Sequence, residues 1–416
     1  MGRGASTRLI VGLAASVALV ACGGSPAPSV QDEVVVPSTT LPDSRVDDGV
    51  LHIGVFLPGT GPGASLGQPM IAAVDAAVAS IAAAGGVLGQ RVMTTFVDEA
   101  TAVGFGQVLQ AGVDAIVGPA SSRVALSSLS EAVQAGVLVC TPSATAAALD
   151  EFPDQGLLFR TVGSDTLQMS AIARAAARTG SRSVAVVHLD DPYGRGLLDA
   201  LRGAVDARGT LDIVVEVPFA GDDPDLLDEA SAAVSAQAGV IVVLGDADDG
   251  GRMLAALDVA LRDATDEVDP PFVVVNDSLR GAGDVIADLG DGTRASLVGV
   301  APRAIVPAVD QPAGFFATNA HDCTVLIALA ATQAGSDRPA AIAAQMASVS
   351  SGGRVCSSFA ECLPLMDDGL QIDYNGLSGG VDLTSTGDLA RAWFREFRFD
   401  AEGREFVPNP IGIETP

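Results

Sequence analysis

The chain has 416 residues, 48% of them hydrophobic and 18% charged, which is long and apolar enough for two or three packed domains and excludes a solvated, disordered chain. Its 51 acidic and 23 basic residues give a net charge of -28, and every basic residue is Arg. That balance argues against a nucleic acid or an anionic membrane face as partner, and the lack of Lys rules out a P-loop. Only His52, His188 and His321 are available to a His-based metal site or a catalytic triad. The acidity itself reads as a solubility device of the kind a salty habitat favours.

Residues 1–8 carry Arg3 and Arg8 and no acid, and an apolar run follows from Leu9 to Val20. It is too short to span a bilayer and reads as a secretory signal peptide, residues 1–21. The run ends in Leu19-Val20-Ala21-Cys22, then Gly23-Gly24-Ser25. This resembles the bacterial lipobox, which implies lipidation at Cys22. Residues 22–49, rich in Pro, Ser, Thr and Asp, read as a flexible tether. No other apolar stretch reaches the length of a membrane span, so the expectation is a soluble extracytoplasmic body, lipid-anchored to the outer face of the cytoplasmic membrane. Disulfides are permitted there. Cys356 and Cys362 flank a short polar loop and are the expected pair. Cys140 ends an apolar strand and Cys323 opens an apolar helix, which leaves either two buried thiols or a second bridge.

From Val50 onward, short β-branched runs alternate with Ala-rich helical stretches, the pattern of parallel sheets with crossover helices. Strands are expected at 51–57, 91–97, 114–117, 137–140, 183–188, 212–217, 240–244 and 272–275. Helices are expected at 66–84, 122–135, 167–178, 196–207, 226–237 and 251–262. Four βα units before about Gly163 and three or four after it predict two similar lobes. Two more helices, 321–334 and 339–349, lead into the Cys loop. An extended Gly- and Asp-rich stretch, 372–404, must return to complete the lobes.

In open α/β sheets, ligands bind beyond the C-terminal ends of strands. Gly59-Thr60-Gly61-Pro62-Gly63-Ala64 formally fits the GxGxxA dinucleotide fingerprint, but Pro62 removes an amide that would face a pyrophosphate. A Gly-rich turn at a cleft edge is the better reading. Gly118-Pro119-Ala120-Ser121-Ser122 offers hydroxyls and free amides at a helix N-terminus, as a carboxylate would need. Thr141-Pro142-Ser143-Ala144-Thr145 repeats the theme on the next strand. Asp190-Asp191-Pro192-Tyr193-Gly194 places an aromatic at a cleft mouth. Gly245-Asp246-Ala247-Asp248-Asp249-Gly250 supplies three carboxylates, which suit a helix N-terminus or a ligand ammonium group. Calcium is not expected, because the fifth position of an EF-hand-like loop is Gly250.

The order of GTGPGASLG, AGGVLG at Ala84–Gly89, IVGPASS, TPSAT, HLDDPYGRG and GRML at Gly251–Leu254 is similar to that of the leucine/isoleucine/valine-binding protein family. The resemblance covers about Leu51 to Val407. It implies a type I periplasmic binding protein, α/β, with two doubly wound parallel-sheet lobes joined by three hinge crossings. It implies no enzyme activity and no cofactor, a small amino-acid-like or carboxylate ligand, and an ABC permease as partner. Carried over residue by residue, the ligand carboxylate falls to Ser122 and Thr145 with backbone groups at Ser143. The cleft aromatic is Tyr193, the acid facing the ligand ammonium is Asp249, and Leu66 replaces a pocket-wall aromatic. The crossings are expected near Thr161, Asn276 and Asp388. The N-terminal lobe is then 50–162 with 277–388, and the C-terminal lobe 163–276 with 389–416. A ligand sensor acting on a membrane signalling partner remains open, as does an extracytoplasmic enzyme, for which no nucleophile with a His base and no metal cluster is evident.

Overall fold

A computed structural model describes residues 47–101, 104–264, 270–302, 314–408 and 413–415. The expected signal peptide, the expected lipidation site Cys22 and most of the expected tether lie outside the described residues. The first sheet is built from β1 (His52–Leu57), β2 (Met93–Asp98), β3 (Ala115–Val117), β4 (Leu138–Thr141) and β5 (Leu158–Arg160). All neighbours are parallel, in the order β2-β1-β3-β4-β5. Its crossovers are α1 (Ala64–Ala83), α2 (Gly104–Gln110) and α3 (Ser122–Ala135).

After β5 the chain enters α4 (Asp165–Arg178) and a second sheet formed by β6 (Ser183–Leu189), β7 (Asp212–Phe219), β8 (Val240–Leu244), β9 (Phe272–Val275) and β10 (Leu297–Pro302). The intervening helices are α5 (Pro192–Arg208), α6 (Leu227–Ser235), α7 (Ala247–Asp263), α8 (Gly283–Ala287) and α9 (Asp291–Ser296). Then α10 (Ala317–Ala334), which packs on α1, leads to α11 (Pro339–Val349), β11 (Arg354–Cys356), α12 (Phe359–Asp367), β12 (Ile372–Gly376) and β13 (Gly379–Gly380), all with the first lobe. The chain finally returns to the second sheet as β14 (Ala392–Phe399), β15 (Glu405–Phe406) and β16 (Ile413–Thr415). The second sheet runs β15-β14-β10-β9-β8-β6-β7, with β14 antiparallel to β10.

Side chains of successive strand residues point to opposite faces, and both faces of each sheet are covered. In β8, Val240, Val242 and Leu244 join the core that also holds α4 and α5, while Ile241 and Val243 face α6 and α7. In β1, Ile53, Val55 and Leu57 pack toward α1 and α10, while Phe56 faces Phe105 of α2 with ring centroids 5.3 Å apart. The helix α1 is long and apolar enough to cross a membrane, contrary to the expectation that no further segment is. It buries Met70, Ala73, Val74, Ala77 and Ile81 fully, and is a core helix.

The crossing expected near Asn276 is corrected by the second sheet. Because β10 pairs parallel with β9, residues 277–302 stay in the second lobe, and the crossing falls between Pro302 and Ala317. The strand β10 is easily missed because Gly299 interrupts its apolar run. A Cβ there would lie 1.9 Å from the ring of Phe397, its partner in the register with β14, so any side chain would force that buried ring to move. The sulfurs of Cys140 and Cys323 stand at disulfide distance, joining β4 to α10, as do those of Cys356 and Cys362.

Candidate functional site

The two hydroxyl loops lie side by side at the C-terminal ends of β3 and β4 and are laced together. Thr141 donates its hydroxyl to the Pro119 carbonyl at 2.6 Å and Ser143 donates to the Ala120 carbonyl at 2.9 Å. The Ser122 hydroxyl oxygen accepts from the Ala146 amide at 3.1 Å. These bonds fix both loops before any ligand arrives, and Ser122 keeps its hydroxyl proton to donate. The amides before α3, expected to be free, are not. Glu99, just after β2, takes those of Ala120 and Ser121 at 2.7 and 2.9 Å. Burial raises the carboxyl pKa of Glu99, and the two amides oppose that shift.

Arg160 at the end of β5 positions the second loop. Its fully buried guanidinium donates to the carbonyls of Thr145 and Ala146 at 3.3 and 3.2 Å, to Asp388 at 2.5 Å, and to Asp150. Burial alone would lower its pKa, but the two carboxylates outweigh it and raise it. Arg160 and Asp388 thereby join the first and third crossings. The Thr145 carbonyl also accepts from the Asp165 amide, 2.7 Å away, at the start of α4.

From the second lobe, Asp191 caps α5 by accepting from the Gly194 amide at 2.7 Å, which sets Tyr193 in the first turn. The Tyr193 hydroxyl lies 3.0 Å from Ser278 Oγ and accepts from Asn276 Nδ2 at 3.2 Å. Asn276 also bonds both the amide and the carbonyl of Gly245, tying the ends of β8 and β9 together. Burial, with the charges of Asp165 and Asp277, holds the phenol well above its ordinary range. Asp165 is buried, and its carboxyl is pushed up to about 7 by burial and by the neighbouring charge of Asp277, against the Thr145 hydroxyl and Arg160. Burial also raises Asp277, opposed by Gln168 and by Arg280.

Thr145 and Tyr193 thus neighbour Asp165, and Ser122 and Ser143 sit in the two laced loops, the second of which carries Thr145. Leu66, in the first turn of α1, is half-buried against the central core. Asp249 has a partner of its own. It pairs with Arg252 one turn along α7 at 2.7 Å, and it faces Gly221, where a Cβ would stand 2.5 Å from its Oδ2. Among the described residues no hydrogen bond links it to Tyr193. Sequence reasoning missed Glu99, Asp165 and Asp277, although Glu99 and Asp277 follow strand ends and Asp165 opens the helix after β5, the rule that found the others. The three crossings line an open recess of about 600 Å³, open solvent included, whose walls include Thr161, Gly163, Pro302, Phe315, Phe316 and Trp393. Among the described residues no group of His, Cys, Asp and Glu is arranged to hold a metal ion.

Two parallel-sheet lobes, three crossings and polar groups converging from both lobes define a type I solute-binding protein, which holds a ligand and does not transform it. The comparisons with known proteins agree. Residues 50–264 match the periplasmic binding protein family, and the chain belongs to it. The chemotactic signal transduction system substrate-binding protein BasB of Halobacterium salinarum is 30% identical over 394 residues, covering 86% of this chain and 89% of BasB. The Leu/Ile/Val-binding protein BraC3 of Rhizobium johnstonii is 32% identical over 180 residues, 41% of this chain and about half (48%) of that protein. Among solved structures, an ABC transporter substrate-binding protein of Desulfitobacterium hafniense in complex with Leu superposes with a TM-score of 0.65 at 21% identity, over 86% of this chain and 99% of that one.

Proposed function

We propose that this protein captures a small α-amino acid between its lobes and delivers it to an ABC permease, held near the membrane by acylation of Cys22. What supports this reading is the pair of laced loops with Ser122, Ser143 and Thr145, which suit a carboxylate, and the neighbouring Tyr193, buried Asp165 and partly exposed Asp277, which suit an amino group. The names of the relatives fit such a ligand. Groups from both lobes touch the ligand, so binding favours the closed state and closure signals occupancy to the permease. A tether of some thirty residues keeps the body at high effective concentration beside that partner.

The test is thermal unfolding of the full chain against amino acids, amides and simple carboxylates. A ligand at a hundred times its dissociation constant adds about 2.7 kcal/mol of stability. A shift with zwitterionic amino acids supports the reading, and a shift with none of them refutes it. Sensing is a second reading, favoured by the similarity to BasB. Cross-linking in membranes separates the two: recovery of a permease supports delivery, and recovery of a signalling transducer supports sensing.

A further inference from the structure

We infer that the ligand's ammonium group is held between the carboxylates of Asp165 and Asp277, with Gln168 Oε1 as a third acceptor, and that Asp249 takes no part. This rests on the reading that the ligand is an amino acid, and narrows it to ligands with a positively charged amino group.

The argument is one of unmatched acceptors. Two guanidinium groups stand near the pair, and each is committed elsewhere. Arg160 is bound to Asp388 and Asp150. Arg280 makes a two-pronged pair with Glu405, both contacts 2.7 Å, and lies 4.1 Å over the Phe315 ring. Among the described residues no ion pair reaches Asp165 or Asp277, though Asp165 feels the charge of Asp277. Two neighbouring like charges, one of them buried and the other only partly exposed, are costly unless a cation or proton lies between them.

Gln168 provides an independent sign of the missing donor. It sits one turn beyond Asp165 on α4, is only 2% exposed, and donates Nε2 to the Val300 carbonyl at 3.1 Å, and its amide helps hold the Asp277 carboxyl down. Its Oε1 is buried without a partner. A buried acceptor beside two carboxylates calls for a group with several N–H donors and positive charge. An ammonium has three donors, one for each of these acceptors. Asp249 lacks this need, since Arg252 already satisfies it.

The experiment compares L-leucine with 4-methylpentanoate, the same skeleton without the amino group, by titration calorimetry on the full chain. The expected result is binding of leucine at least about 100-fold tighter, the scale of two charge-assisted contacts. In Asp165→Asn and Asp277→Asn leucine should weaken by about 30-fold each, with 4-methylpentanoate unchanged, and in Asp249→Asn leucine should stay within about 3-fold. Equal affinity of the unaltered protein for both probes overturns the inference without relying on any variant. So does a loss confined to Asp249→Asn. If no amino acid binds the unaltered protein at all, the functional reading itself has failed, an outcome distinct from amino-acid binding that ignores Asp165 and Asp277.

Discussion

Arg160 offers the sharpest test of how the hinge holds the site. Its side chain is fully buried, with two carboxylates and two carbonyls as acceptors, and its backbone amide donates to Gly387 at 2.9 Å. Arg160→Met keeps the length and removes the charge, leaving Asp388, Asp150 and both carbonyls without their donor. Breaking a buried pair in this way costs about 3–5 kcal/mol. Both carboxylates are about one-fifth to one-quarter exposed, so water can partly replace the guanidinium, and the lower end, about 3 kcal/mol, is expected. In urea unfolding followed by circular dichroism the midpoint should fall accordingly, with unchanged slope. Asp388→Asn should cost less, and the double variant less than the sum, because the two share one interaction. A loss below about 1 kcal/mol in Arg160→Met would show that the clamp does not hold the crossings together.

The Asp165 carboxyl, near 7 in the folded protein against 3.8 ordinarily, binds a proton that the unfolded chain loses. The stability it contributes is therefore present below about pH 4 and is lost as pH rises toward 7, with a ceiling of roughly 4 kcal/mol. Asp165→Asn should lack that slope in melts across this range; parallel curves for the two proteins would contradict it. Glu99→Ala strands the Ala120 and Ser121 amides and should cost about 1–3 kcal/mol in urea unfolding. Bonding within the Cys140–Cys323 and Cys356–Cys362 pairs lowers the non-reduced intact mass by two hydrogens per pair, and an unchanged mass on reduction speaks against it. The Cys140 to Cys323 link spans 183 residues and the other pair 6, so the chain-entropy view assigns about 5 and about 2 kcal/mol. Because Trp393 lines the recess between the crossings, its fluorescence should change when an amino acid closes the lobes.

Most of the α/β architecture was legible because the period-two and helical patterns are strong and turn residues punctuate them. The helix 122–135 and the strand 240–244 fall where the pattern puts them. What escaped was set by contacts distant in sequence. Three-residue β5 is too short to carry a pattern, and β10 is broken by a glycine whose reason, the Phe397 ring, lies about a hundred residues further on. That missing strand is why the second crossing was expected too early. At the candidate site, motif order pointed to the hydroxyl loops and Tyr193. Charge partners were overlooked: Arg252 stands one turn beyond Asp249 on the same helix, an i,i+3 pair open to sequence reading, whereas nothing near Ala120 reveals that Glu99, some twenty residues earlier, occupies the amides.

The late return of the chain to the second sheet bears on how the protein is made. The first lobe needs α10 to α12 to cover β1 and β4, and the second needs β14 beside β10, so neither can close its core until the last quarter of the polypeptide is available. Synthesis proceeds from the N-terminus, and pairings between such distant segments form slowly. A chain bound for export would thus stay threadable through a translocation channel for most of its synthesis, its folding postponed by topology until both ends are on the far side.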